Sequence, residues 1–409
     1  MLTFVTATFG AAFLISLITT PIIRRLAPWL RLVDLPGDRK VHVMPTPMGG
    51  GIAVFAGLLL PVLVLLVCRA GGASLGVFQT LISSVVQDKD VWWQTVGIAS
   101  GGAVLFLTGL ADDRWNLSWK LRLGIQLLVA WGVTQCGVTA TVFVAQPWIG
   151  IVITVLWIMV LTNAMNFLDN MDGLSAGIGV IAALMSASIL LLMVRQSHAV
   201  VAVGLLLLAG SLTGFLCWNR PPASIFMGDS GSNLIGFLLA TLTVTGTFYE
   251  HTGSRHLILA PLCVLAIPLY DFVTVILIRL KSGRSPFHGD KSHFSHRLVE
   301  LGLRPANAVL TIHLATLMTG LGGLLLYKVS DWTGAWLIIA MIFCVLSLVA
   351  ILETVGRRSI AEGAHTAGHA AAQPATTAST ADPISAADDA DHTSHTDTAV
   401  AETSVETSP

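Results

Sequence analysis

Apolar runs of 17 to 24 residues recur eleven times along the chain, near 2–22, 48–68, 94–111, 121–137, 147–165, 174–194, 199–217, 231–249, 257–280, 307–327 and 333–353. About 20 such residues suffice for a helix to cross the hydrocarbon core of a bilayer. Nowhere does the ten-residue alternation of a membrane barrel interrupt them. Since backbone N–H and C=O groups in lipid must pair internally, the pattern predicts an all-α fold, a polytopic membrane bundle of about eleven transmembrane helices. The first run has no basic segment before it and is followed by Arg24 and Arg25, so it reads as a retained helix with its N-terminus outside. The C-terminus is then cytoplasmic. On this topology 17 of the Lys and Arg residues lie inside and 5 outside, the asymmetry that orients membrane helices.

After the last run the pattern ends. Residues 359–409 are mostly Ala, Thr, Ser, Asp and His, with eight acids and no Lys or Arg, a composition too poor in large apolar side chains to form a core. Two regions are therefore predicted: an integral membrane domain over 1–358 and a disordered acidic cytoplasmic tail over 359–409. The four His of the tail, 365, 369, 392 and 395, are assigned no role.

Composition agrees with the pattern. The 409 residues are 54% hydrophobic and 11% charged, with a mean hydropathy of +0.78, whereas soluble domains carry about 25% charged residues. The net charge of −1 averages two unlike regions. Without the tail, 22 basic residues face 15 acidic ones, a net of +7. That excess follows the inner loops and not a soluble face, which argues against a nucleic-acid binder. The five Cys are scattered singly in apolar stretches, without metal-ligand spacing.

Polar residues that interrupt the apolar runs cluster on the predicted inner side. Asp112 and Asp113 end the third run; alone, the pair reads sooner as a solvated helix end paired with Arg114 and Lys120 than as a catalytic pair. The segment N-A-M-N-F-L-D-N-M-D-G-L over 163–174 places Asn163, Asn166, Asp169 and Asp172 three apart. On a helix they form one stripe of oxygen donors suited to a hard cation and a nucleotide. Asp229 stands in F-M-G-D-S-G-S over 226–232, a second ligand candidate opposite that stripe. The loop from Lys281 to Arg304 carries five Lys and Arg residues with His288, His293 and His296, side chains that suit a polyanionic substrate. Asp271, inside the ninth run, is left outside the catalytic set because a hydrogen bond to a neighbouring helix explains it as well. A transporter would instead place its polar groups near the midplane.

These motifs, together with K-V-H-V-M-P-T-P-M-G-G-G over 40–51 and D-K-S-H-F-S-H-R-L over 290–298, resemble the polyprenyl-phosphate N-acetylhexosamine-1-phosphate transferase superfamily over about residues 36–302. The H-x-x-H-R-L form looks like the branch that uses UDP-GlcNAc. The resemblance implies transfer of an N-acetylhexosamine-1-phosphate, GlcNAc-1-phosphate by preference, from a UDP-sugar to undecaprenyl phosphate. UMP is released and a lipid-linked envelope glycan is begun. It implies Mg2+ as cofactor, with Mn2+ able to substitute, and a site on the cytoplasmic face of a bacterial inner membrane. By motif, Asn166 and Asp229 would ligate the metal, and Asp112 and Asp113 would manage the lipid phosphate and its proton. Asp172 and Phe226 would help hold the uracil. Arg284, His293, His296 and Arg297 would clamp pyrophosphate and sugar. Asp169, Lys120, Lys40 and His42 complete the expected substrate contacts. Membrane lipids and a second copy of the chain are the other expected partners.

Two positions depart from the common pattern of the family: Ser295 stands where a histidine is usual, and Asn170 where a glycine is usual. Alternatives are the same reaction with another UDP-sugar or with phospho-MurNAc-pentapeptide and, from a different class, transport of anionic metabolites.

Overall fold

The structure, a computed structural model, describes the backbone of residues 2–35, 44–72, 76–140, 146–194, 198–246, 255–286, 290 and 292–371; the side chains of Val77 and of 354–371 lie outside the description. Fourteen α-helices occur among the described residues: α1 Leu2–Leu26, α2 Gly50–Ala70, α3 Val77–Gln87, α4 Lys89–Trp115, α5 Trp119–Gln135, α6 Pro147–Leu168, α7 Leu174–Leu192, α8 Ala199–Asn219, α9 Asp229–Thr245, α10 Ala260–Val264, α11 Ala266–Lys281, α12 Phe294–Glu300, α13 Pro305–Leu325 and α14 Trp332–Ala371. Contacts divide the chain into two units, Met1–Ser359 and Ile360–Pro409. The backbone of α14 runs past the predicted boundary at residue 358, through the alanine-rich start of the expected tail, where helix propensity is high. Residues 372–409 lie outside the description.

Each of the eleven apolar runs is helical. Eight helices among the described residues are long and apolar enough to cross a membrane, or nine if the Arg255–Val264 and Ala266–Lys281 pair forms one span. The protein is thus an all-α polytopic membrane protein. The runs at 121–137 and 231–249 fall short of that measure because α5 and α9 are 17 residues each, about 25 Å at 1.5 Å per residue.

The ninth run is not one straight helix. Its two halves meet at 67° beside Leu265. Pro268 is the physical reason: in a continuous helix its ring would collide with the carbonyl of Val264, whereas in the first turn of α11 no N–H is needed from it. Helix α3 was not expected, since 11 residues are too few to span; its Phe78, Leu81, Ile82, Val85 and Val86 give one apolar stripe.

The bundle is built around α9. Residues Ser230–Thr243 are buried on every side, with α4 and α6 as the helix's main neighbours and α2, α7 and α8 completing its wall. Close approach is possible because small residues meet: a Cβ on Gly109 of α4 would lie 2.5 Å from the Asp229 backbone, and one on Gly51 of α2 would lie 2.4 Å from the Gly231 nitrogen. Outward faces are apolar, as with Leu14, Ile18 and Ile22 of α1 and Val64 and Val67 of α2. Water would leave such faces unstable, and lipid does not.

One short ladder departs from the all-α pattern. Strands β1 (Val33–Asp34) and β2 (Thr46–Pro47) pair antiparallel, Val33 with Pro47 and Asp34 with Thr46. Beyond β2 the chain continues to pair: Phe226 N donates to Pro47 O, Gly50 N to Phe226 O and Gly51 N to Met227 O, each at 2.9 Å. The P-T-P-M-G-G-G and F-M-G-D-S-G-S motifs are thereby laid side by side at the start of α9.

Candidate functional site

The C-terminal ends of α4, α6 and α8 and the N-terminal ends of α5, α7 and α9 meet at one end of the bundle. Helix α4 ends on Asp112 and Asp113, and the two carboxylates do different work. Asp113 reaches the first turn of α9, where its Oδ1 accepts from Asp229 N at 2.7 Å and its Oδ2 from Ser230 N at 3.2 Å. These are unpaired helix-start amides, a natural anion site. Gly228 makes the approach possible: its φ is +79°, and a Cβ there would lie 2.6 Å from the Asp113 carboxylate. Asp112 is buried and turns the other way, accepting from Leu117 N at 2.7 Å and from the Arg122 guanidinium.

Arg122, one turn into α5, also donates to Asp229 Oδ2 at 2.9 Å. A single Nη1 therefore bridges two carboxylates from different helices. Asp229 Oδ1 accepts from Asn166 Nδ2 at 2.8 Å, and the same amide donates to Ser232 Oγ at 3.0 Å. Asn166, Asp112, Asp113 and Asp229 thus form one connected group. Asn163 stands one turn back, donating to Gln126 Oε1 at 2.7 Å.

The α6–α7 turn borders this group. Asp169 Oδ1 accepts from the Ser175 hydroxyl at 2.6 Å. Burial pushes its carboxyl up to about 7, the Ser175 hydrogen bond opposes the shift, and the negative charge of Asp113 adds to it. Asp172 Oδ2 accepts from Ala223 N at 2.9 Å, and Asn219 ties the same turn from α8, taking Gly173 N at 2.9 Å and giving its amide to Ile225 O at 2.9 Å. Phe226, half-buried, follows directly in the paired segment before α9.

A second, basic group packs against the end of α6. Arg279, only 1% exposed, gives Nε and Nη2 to Asp290 Oδ1 at 3.2 and 3.0 Å and Nη1 to Pro286 O at 2.6 Å. Its guanidinium lies 5.0 Å over the Phe167 ring. Although burial opposes it, hydrogen bonds from Ser292 and Arg279 hold the Asp290 carboxyl below the usual carboxylate range. Arg284 is exposed and meets Asp290 Oδ2 at 3.1 Å. His293 Nδ1 lies 3.0 Å from Asp271 Oδ2, and Phe294 N donates to Asp271 Oδ1 at 2.6 Å. A carboxylate only accepts, so Nδ1 carries the proton and Nε2 accepts from Arg279 Nη2 at 3.4 Å. The Arg297 guanidinium, 2% exposed, is held by Ser292 O at 2.5 Å, Thr274 Oγ1 at 3.2 Å and Glu353 Oε2 at 2.9 Å. His296 is half-buried, its ring 6.3 Å from that of His293.

Among the expected site residues, then, Asp112, Asp113, Asn166 and Asp229 come together, with Asp169, Asp172 and Phe226 beside them and Arg284, His293, His296 and Arg297 on the basic group. Lys120 does not join them: it is exposed and lies over the Trp119 ring at 5.7 Å. Lys40, His42 and His288 lie outside the described residues. Sequence reasoning missed Arg122 and Arg279, whereas Asp271 makes the hydrogen bonds to a neighbouring helix that were expected of it, at the start of α12. Arg122 carried a signal in its position, since a cation in the first turn of a helix opposes the helix dipole and needs an anionic partner.

The donor set suits a hard divalent cation. Asp229 and Asn166 bring a carboxylate and a carboxamide together at one point, groups whose oxygens are the hard donors such a cation takes. Among the described residues no three His, Cys, Asp or Glu form a complete metal cage. Mg2+ takes few protein ligands and keeps positions for water and substrate phosphate.

Residues 95–247 match the sequence model of "Glycosyl transferase family 4". The chain is 30% identical over 343 residues to a Bacillus subtilis protein described as a probable undecaprenyl-phosphate N-acetylglucosaminyl 1-phosphate transferase, covering 81% of this chain and 88% of that one. It is 34% identical over 329 residues to the decaprenyl-phosphate N-acetylglucosaminephosphotransferase of Mycobacterium tuberculosis, covering 74% and 78%. To the undecaprenyl-phosphate alpha-N-acetylglucosaminyl 1-phosphate transferase of Escherichia coli K12 it is 28% identical over 328 residues, covering 76% and 81%.

Proposed function

Because the chain belongs to glycosyl transferase family 4, we propose that it transfers GlcNAc-1-phosphate from UDP-GlcNAc to a polyprenyl phosphate, undecaprenyl phosphate in the first instance, releasing UMP. The observation that carries this reading is the convergence of Asp112, Asp113, Asn166 and Asp229 through direct hydrogen bonds at one end of an apolar bundle. A lipid phosphate and a water-soluble nucleotide can both reach such a place. We assign that end to the cytoplasmic face of a bacterial inner membrane and the bundle to eleven crossings, counting α5, α9 and the bent α10–α11 pair.

Phosphoryl transfer asks for charge neutralisation and for attacking and leaving oxygens held in line. A lipid phosphate oxygen forms a bond to the β-phosphorus while the bond from that phosphorus to the bridging oxygen breaks, and UMP departs. Asp112 accepts the proton of the attacking phosphate when it arrives protonated. Asp113 sets the first turn of α9 and so the position of Asp229. Arg122 offsets part of the negative charge where two anions meet. Asp229 and Asn166 would hold Mg2+, which when bound would supply Lewis-acid neutralisation of the pyrophosphate. Asp172 and Phe226 would face the uracil, and the basic group would meet the sugar pyrophosphate through His296 and Arg284.

The test is UMP release by the purified full chain given undecaprenyl phosphate and a panel of UDP-sugars, with Mg2+, Mn2+ or chelator. Release with UDP-GlcNAc that chelation abolishes is expected. Release with a different UDP-sugar alone would change the substrate, and none with any sugar would remove the transferase reading.

A further inference from the structure

Asn170 and Ser295 are 125 residues apart in sequence, yet the Ser295 hydroxyl donates to Asn170 Oδ1 at 2.6 Å. Asn170 lies in the α6–α7 turn, directly after Asp169. Its own Nδ2 donates to Phe167 O at 2.7 Å, so the amide plane is fixed and Oδ1 has one direction. Ser295 is fully buried on α12. A hydroxyl in such a place needs a partner.

Helix α12 has seven residues, too few to be stable alone, and its position is set by its ties. Asp271 of α11 holds its start through His293 and the Phe294 amide, and Glu353 of α14 holds Arg297. The Ser295 bond pulls in another direction, onto the turn that carries Asp169 and Asp172. It therefore sets the gap between that turn and His296. Asn170 and Ser295 are thus one feature: a residue without a side-chain acceptor at 170 could not take the bond, and one without a hydroxyl at 295 could not give it.

We propose that Asn170 and Ser295 form a positioning pair that fixes the width of the nucleotide-sugar site and leaves the lipid side unaffected. This rests on the transferase reading. The test is a double-mutant cycle in the full chain with Asn170→Ala, Ser295→Ala and both, reading KM for UDP-GlcNAc and for undecaprenyl phosphate. Losing one net hydrogen bond of ordinary strength predicts about a fivefold rise in KM for UDP-GlcNAc in each single variant. The double variant should be no worse than the poorer single one, since both remove the same bond. KM for the lipid should stay within about twofold of the wild type in all three, a contrast that mere loosening of the fold would not produce. Ser295→Thr retains the hydroxyl and should keep KM close to that of the wild type. Effects that multiply in the double variant, or a shift of both KM values together, would overturn the pair. So would a lowered thermal midpoint with both KM values unchanged. Wild-type protein that releases no UMP would instead overturn the transferase reading.

Discussion

The acidic centre and the basic group beside it are stabilised in opposite ways. In the centre, carboxylates from α4 and α9 are held by backbone amides, by one arginine and by the Asn166 amide. In the basic group, the cations are consumed by acids and the histidine is held by one: Arg279 pairs with Asp290 and Arg297 with Glu353, and His293 hydrogen-bonds Asp271. The difference teaches that charge in a loop is not by itself a binding surface. Arg297 has the residue type of a phosphate clamp but the surroundings of an anchor, whereas Arg122, which reads from sequence as an orienting cation, sits between two catalytic candidates.

If that contrast is right, Asp229→Ala has the largest effect: turnover should fall by about three orders of magnitude, the scale of losing a main electrostatic element, while circular dichroism stays that of the wild type. Arg122→Gln comes next. It leaves two carboxylates unscreened, and kcat should fall about 100-fold, with the Mg2+ concentration for half-maximal rate also shifted. Asp271→Asn, in the basic group, should cost about tenfold in kcat/KM by freeing the His293 ring, with that Mg2+ midpoint unchanged. A shifted midpoint would merge the two regions into one.

The smallest effect is on stability against pH, where the regions should have opposite signs. Asp169 has a raised folded value of about 7, so its stabilising contribution is complete below the ordinary carboxylate value of about 4 and is lost as pH rises through about 7. Asp290 has a lowered value, so its contribution is complete above the ordinary value and is lost as pH falls through the folded one. Thermal midpoints of Asp169→Asn and Asp290→Asn between pH 3 and 8 would read this. Asp169→Asn should remove a decline between pH 4 and 7, and Asp290→Asn should remove a loss on the acid side.

Much of this was legible in the sequence, because lipid imposes one rule on long apolar runs and every such run became helix. The carboxylates of the centre were legible too, since each follows or starts an apolar run and so had to lie at its end. The bend beside Leu265 was hidden, as the apolar run continues through it and only Pro268 marks the break. That Asp271 is hydrogen-bonded to a neighbouring helix was legible, but its partners, His293 and the Phe294 amide, were not, because they come from a segment more than twenty residues later. The Asn170–Ser295 bond was visible as two separate departures, and their contact over 125 residues is a tertiary fact.

We assign the chemistry to the acidic centre, and binding and positioning to the basic group. Steady-state kinetics of Asp112→Asn and His296→Ala, measured side by side against UDP-GlcNAc, test it most directly. The account predicts that Asp112→Asn lowers kcat at least about 100-fold with KM within about twofold, and that His296→Ala raises KM about tenfold with kcat little changed. The reverse assignment, a collapse of kcat in His296→Ala with only KM altered in Asp112→Asn, would contradict it.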